Sequence, residues 1–272
     1  MIESLASNTE GYRLGKLEAL GFAIAACKSD DDAGLPGVYK LLTETLTRID
    51  NHAEYCVASR ILTEALAKGR LISQPNIDAI LHTITVICSY EGPAIHPDNA
   101  GIIFSSLCGL LHAVLSNRDH RRHLQGHFHV LLQPMQALMR CLFTPVVASS
   151  KFARSHPPPP WLPVPATPSY PLPDHAAQYT RLVTLICDPP SSVVSDNRKK
   201  PDLNNAKTEA KRNAGEHMIF LLTYYVKLQS EMRLGHEIRE ALKPAIWALM
   251  SSTDSEARGR TCLLYTSPSP RD

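Results

Sequence analysis

The chain has 272 residues, 44% hydrophobic, 20% charged and 6% aromatic, with a formal net charge of +2. Such a chain is globular and long enough for a substantial core, and its scarce β-branched and aromatic alternation gives a sheet little to build on. No apolar run approaches the ~18 residues of a membrane span, and Met1-Ile2-Glu3-Ser4 lacks the basic-then-apolar layout of a signal peptide.

Apolar spacing predicts helices in succession. The first covers 8–28 through Tyr12, Leu14, Leu17, Leu20 and Ile24, and stops at Asp30-Asp31-Asp32. Pro36 and Pro75 suit first helical turns and open the second and fourth helices, and a third over 54–68 ends at Gly69. Gly92-Pro93 breaks the fourth, and a fifth runs from Pro97-Asp98 through Leu115. The distance from Pro36 to Pro75 is that of one helical hairpin, within the ~40–47 residues of a HEAT or armadillo unit. No internal self-similarity accompanies it.

Arg121 to Phe143 is the most informative stretch. Leu124, Phe128, Leu131, Met135, Leu138 and Leu142 recur at steps of four and three, which places them on one helical stripe with basic and imidazole residues around it. Pro134 should kink that helix or divide it near Leu132. Between Pro157 and Pro173 stand nine prolines, a density that excludes helix and sheet and predicts an extended insertion loop. Order returns at Asp174 and stops at Asp188-Pro189-Pro190. A long helix over 203–232 and a last one over 236–251, with Pro244 inside, complete the pattern.

Charge is uneven. Residues 1–117 hold 8 Lys and Arg against 13 Asp and Glu, whereas 118–154 and 198–212 each hold six Lys and Arg against one and two acids. Arg121, Arg122, Arg140, Lys199, Lys200, Lys211 and Arg212 are therefore the candidates for an RNA-facing surface with salt-dependent affinity.

Nothing points to catalysis. The chain has no phosphate-binding loop, no G-x-G-x-x-G and no nucleophile elbow. The seven cysteines are dispersed and read as small core residues. His120, His123 and His127 fall at helical spacing but lack the further ligands of a stable zinc site, and Glu237 and Glu240 read as exposed charge. The sequence thus predicts no catalytic residue, metal or cofactor.

Four blocks carry a family resemblance. They are Arg121-Arg122-His123-Leu124 with Gly126, Phe128, Leu131-Leu132, Met135, Leu138 and Arg140-Cys141-Leu142-Phe143; then Tyr179, Arg181-Leu182 and Leu185-Ile186-Cys187-Asp188-Pro189-Pro190; then Glu216-His217, Leu221-Leu222 and Tyr224-Tyr225-Val226; and finally Ile238-Arg239 with Leu242-Lys243-Pro244-Ala245. In this order they resemble the fungal "unhealthy ribosome biogenesis protein two" family of nucleolar pre-ribosomal-associated proteins, over about 100–260. Where the family has Gly-Arg this chain has Gly126-His127, which makes any phosphate contact there weaker and pH-dependent.

The resemblance implies a non-enzymatic scaffold of the nucleus and nucleolus, acting in early large-subunit (60S) biogenesis and pre-rRNA processing. Its implied partners are a large helical scaffold, a DEAD-box RNA helicase, small nucleolar factors and the pre-rRNA itself. The expected architecture is all-α, with antiparallel helix hairpins stacked as an armadillo/HEAT-like solenoid or a helical bundle. Residues 1–261 would form one domain, the C-terminal region of a longer parent, with a proline-rich loop at 155–173 and a basic loop at 191–202. Residues 262–272 look like adapter read-through and are expected to be disordered. The alternative reading is a generic helical adaptor that binds protein and no RNA.

Overall fold

The computed structural model describes residues 10–26, 35–67, 73–124, 127–145, 157–164, 170–190 and 203–252. Its helices are α1 (Glu10–Ala26), α2 (Leu35–Arg48), α3 (His52–Ala67), α4 (Gln74–Ile87), α5 (Ala100–Ser116), α6 (Arg118–Leu124), α7 (Leu132–Cys141), α8 (Pro173–Cys187), α9 (Leu203–Glu231) and α10 (His236–Ser252), with 3-10 turns at Pro97–Asn99 and Phe128–Leu131. The fold is all-α. The strand pairing among the described residues is one two-residue antiparallel bridge, Thr144 opposite Arg233 and Pro145 opposite Met232. The basic loop 191–202 and the tail 262–272 lie outside the described residues.

Local chemistry sets the helix starts. Pro36 and Pro75 are second residues of their helices and Pro173 is a first residue, positions where a missing N–H costs no intrahelical bond. Asn51 Oδ1 accepts from the Ala53 and Glu54 amides at 2.8 and 3.2 Å, and Asn117 Oδ1 accepts from Asp119 at 2.9 Å, so each side chain caps the helix that follows. At α8 the cap runs backward, with the Leu172 amide donating to His175 Nδ1 at 3.0 Å.

The stretch Arg121–Phe143 is divided near Leu132, as the proline suggests: it forms α6, a 3-10 turn over Phe128–Leu131 and α7, which begins at Leu132 and takes Pro134 as its third residue. The apolar stripe survives the break: Leu124, Phe128, Leu131, Met135, Leu138 and Leu142 are all buried. A 3-10 turn superposes residues three apart, so Phe128 and Leu131 keep facing the core.

The helices pack in two rows. α1 lies on α3, α3 on α5, α5 on α8 and α8 on α10; α2 lies on α4, α4 on α7 and α7 on α9. Contacts of α2 with α3, of α9 with α10 and of α9 with α8 join the rows. Polar ties reinforce these contacts: Tyr39 Oη donates to the Ala65 carbonyl at 2.8 Å, Ser106 Oγ to Tyr55 Oη at 3.2 Å, and Thr180 Oγ1 to the Ala241 carbonyl at 2.8 Å.

Two sequence expectations are corrected here. The helical stretch Pro97–Ser116, 20 residues with a mean hydropathy of 1.5, does reach the length and apolarity of a membrane span. Its apolarity answers to packing from several sides, since α5 contacts α3, α4, α6 and α8. The proline-rich segment is also more than an excursion. Trp161 is fully buried, Pro159 and Pro163 are buried beside it, and Tyr170 is buried against Phe104 and His175. Proline fixes an extended backbone, but the two aromatic residues between the prolines carry enough apolar surface to draw that backbone onto the core.

Candidate nucleic-acid interface

The candidate surface begins at the basic helix α6. The Asn117 cap sets the phase of this helix so that His120, Arg121 and Leu124 share its inner face, four and three residues apart. Leu124 and His120 have no exposed surface and Arg121 has 3%. The apolar stripe therefore extends one turn upstream into two residues with polar heads.

Arg121 is anchored by a defect in another helix. The carbonyls of Leu185 and Ile186, in the last turn of α8, would ordinarily accept amides from positions 189 and 190. Both are prolines and carry no N–H. Arg121 fills the vacancy, with Nη1 donating to the Leu185 carbonyl at 2.9 Å and Nη2 to the Ile186 carbonyl at 3.3 Å. The guanidinium also lies 5.6 Å from the centre of the Phe128 ring. Burial pulls its pKa from 12.5 down to about 10, while the negative end of the helix dipole favours the cation.

The same device recurs nearby. Arg140 Nη2 donates to the Cys88 carbonyl at 2.7 Å and Trp161 Nε1 to the Ile87 carbonyl at 2.7 Å, both at the end of α4. Tyr170 Oη donates to the Cys141 carbonyl at 3.0 Å, at the end of α7. Three helix C-termini are thus closed by side chains distant in sequence.

This alters the basic surface expected from sequence. Arg121 is an interior side chain, with Nη1 and Nη2 each bonded to a carbonyl of α8. Arg140 is half-buried and tied to α4. Arg122, Lys211 and Arg212 sit on described helices but outside the described side chains, and Lys199 and Lys200 lie outside the described residues altogether. The signal for Arg121 was legible in principle: it stands three residues before Leu124 on the stripe, and the Pro-Pro pair marks the helix end that lacks donors.

The histidines separate into two kinds. His120 is buried and neither ring nitrogen makes a well-formed hydrogen bond; burial pushes its pKa below the ordinary value, partly offset by the Ala113 carbonyl and Asp119. His175, also buried, is pushed in the same direction for the same first cause. His127 and His129 are exposed, and their rings stand 5.9 Å apart; His217 of α9 follows 6.0 Å from His129. Beside them, His82 and His129 border a groove of about 290 Å³ between α4 and the start of α7. Among the described residues no group of three or more His, Cys, Asp or Glu side chains is placed to hold a metal ion.

Among the described residues no arrangement activates a nucleophile. Cys56 Sγ lies 3.4 Å from His52 Nε2, but burial raises the thiol pKa, the reverse of what a reactive thiolate needs. Cys88, Cys108 and Cys141 are buried, and burial raises the Cys88 and Cys108 thiols too. Glu240 is exposed and paired with Lys243 at 2.6 Å, which lowers its pKa, and Glu237 is exposed on the same helix.

No curated protein and no solved structure matches the chain. A family model does, over residues 56–262, a span that runs from within α3 and takes in all four sequence blocks. The first two blocks meet in space, since Arg121 of the first bonds the Leu185 and Ile186 carbonyls of the second, and Tyr179 Oη of the second donates to the Met135 carbonyl of the first at 3.0 Å. With more than half of its length so matched, the chain belongs to the Urb2/Npa2 family, whose members are non-catalytic ribosome-biogenesis factors.

Proposed function

We propose that this chain is a helical scaffold of early 60S assembly in the nucleolus, where it supports pre-rRNA processing within a pre-ribosomal particle. The family match over residues 56–262 carries this reading. The two-row packing supports an armadillo/HEAT-like solenoid, because stacked helix hairpins place each helix against its equivalent in the next hairpin. Such a stack offers long continuous faces to partners, here a large helical scaffold, a DEAD-box helicase and small nucleolar factors.

In this reading RNA contact falls to Arg122, Lys199, Lys200, Lys211 and Arg212, with Arg140 a lesser contributor because its guanidinium also serves α4. If all five contact phosphates of a single strand, the logarithm of affinity falls against the logarithm of salt with a slope of about −3.5. In-cell ultraviolet crosslinking of the tagged protein tests the proposal. The expected result is pre-rRNA joined to peptides spanning 118–122 and 198–212. Crosslinks confined to other peptides would remove the basic surface, and recovery of protein partners without any pre-ribosomal RNA would favour the protein-binding adaptor instead.

A further inference from the structure

We infer that the groove between α4 and α7 receives one unstacked nucleobase of single-stranded RNA, a base that bears an exocyclic amino group. This rests on the RNA contact proposed above and assigns it a specific pocket away from the basic blocks.

The lining has two parts. Leu81, Val130 and Pro134 give an apolar floor, and His82, His129, Gln133 and Asp78 give a polar rim, around about 290 Å³. A flat heteroaromatic ring with polar edges matches that division, and imidazole faces are among the surfaces on which splayed bases stack. The rim continues through His127, whose ring stands edge-to-face with His129 at 5.9 Å, and His217, tilted against His129 at 6.0 Å.

The edge chemistry narrows the choice. A carboxylate only accepts hydrogen bonds, so Asp78 favours a base edge with an amino donor. Asp78 is held in place by Gln74, whose Nε2 donates to its Oδ1 at 2.8 Å. The Gln133 amide both donates and accepts, and so can read the ring nitrogen or carbonyl beside that amino group. Cytosine satisfies this set; uracil, with a carbonyl where cytosine has its amino group, places an acceptor against the carboxylate. A phosphate is disfavoured at the same point by the charge of Asp78, which is why a base rather than the backbone is assigned to the groove.

The test uses the full 272-residue chain with fluorescein-labelled oligo(C) and oligo(U) in anisotropy titrations across a salt series. His82 and His129 are exposed, so the double variant His82→Ala/His129→Ala keeps the fold, which circular dichroism checks. Expected are tighter binding of oligo(C), a loss of about tenfold in the double variant from lost stacking, and no loss in His236→Ala, a histidine of α10 that does not line the groove. The salt slope should be unchanged in the double variant, because no phosphate contact is removed. Undiminished oligo(C) affinity in that variant, or equal affinity for the two oligomers, overturns the groove assignment and leaves the basic-surface reading standing. Absence of wild-type binding to either oligomer at low salt overturns both. A protein partner whose capture depends on His129 while oligo(C) binding does not would assign the groove to protein.

Discussion

Replacing Arg121 separates its role in the fold from the RNA role its charge suggests. Arg121→Ala removes donors at 2.9 and 3.3 Å from two carbonyls that proline at 189 and 190 leaves without amides. Each charge-assisted bond contributes roughly 1.5 kcal/mol net, and an orphaned buried carbonyl costs about 1–3 kcal/mol. The ring contact with Phe128 adds about 0.5–1 kcal/mol. Against this, burial of the charge, which draws the pKa from 12.5 to about 10, costs on the order of 3 kcal/mol. Truncation removes that cost but also opens a void and leaves the carbonyls bare, so the net loss should be about 3 kcal/mol, within the range for breaking a buried ionic contact. With a urea slope near ~3 kcal/mol/M the denaturation midpoint drops by about 1 M. Arg121→Met, which keeps the volume and discards the charge, should lose less. The assay is urea unfolding by far-UV circular dichroism, paired with RNA titration of the folded variants. An unchanged midpoint in Arg121→Ala, or a stable variant with weakened RNA affinity, would refute the assignment of this arginine to the interior.

Further expectations concern other parts of the fold. Trp161→Ala removes a fully buried indole and its 2.7 Å bond to Ile87, and should cost about 3–5 kcal/mol in the same assay; a proline segment detached from the core would show almost none. Because Trp161 is buried and Trp247 is 65% exposed, iodide should quench a red-emitting fraction only, and Trp247→Phe should abolish that fraction. In α5, Gly109→Ala meets open space and should stabilise by about 1 kcal/mol, whereas Gly101→Ala places Cβ 2.9 Å from His175 Nε2 and should not; thermal melts of equal sign for the two would contradict the packing. His120 and His175 have folded pKa values below the ordinary 6.5, so the unfolded chain binds more protons below that pH. Stability should therefore fall as pH drops through about 6.5, less so in His120→Leu, and a melting temperature flat from neutral to acid would dispose of this.

The sequence by itself determined the helices and most of their limits. Pro36 and Pro75 fixed starts, and Pro189-Pro190 a stop, through bonds that a proline ring cannot make; these are local effects that need no partner. The stripe from Leu124 to Leu142 was equally legible, since spacing alone places residues on one side of a helix and burial follows apolarity. The four family blocks, too, were in the sequence. What tertiary structure decided was the fate of the polar residues. Arg121 and Arg140 read as surface cations because a guanidinium is solvated unless something distant meets it. The carbonyls that meet Arg121 lie 64 and 65 residues away, and the one that receives Trp161 lies 74 residues away. The proline pair announces that the end of α8 lacks amides but not which side chain supplies the missing donors. That choice belongs to the tertiary fold, which brings Arg121 of α6 to the last turn of α8 and buries it there.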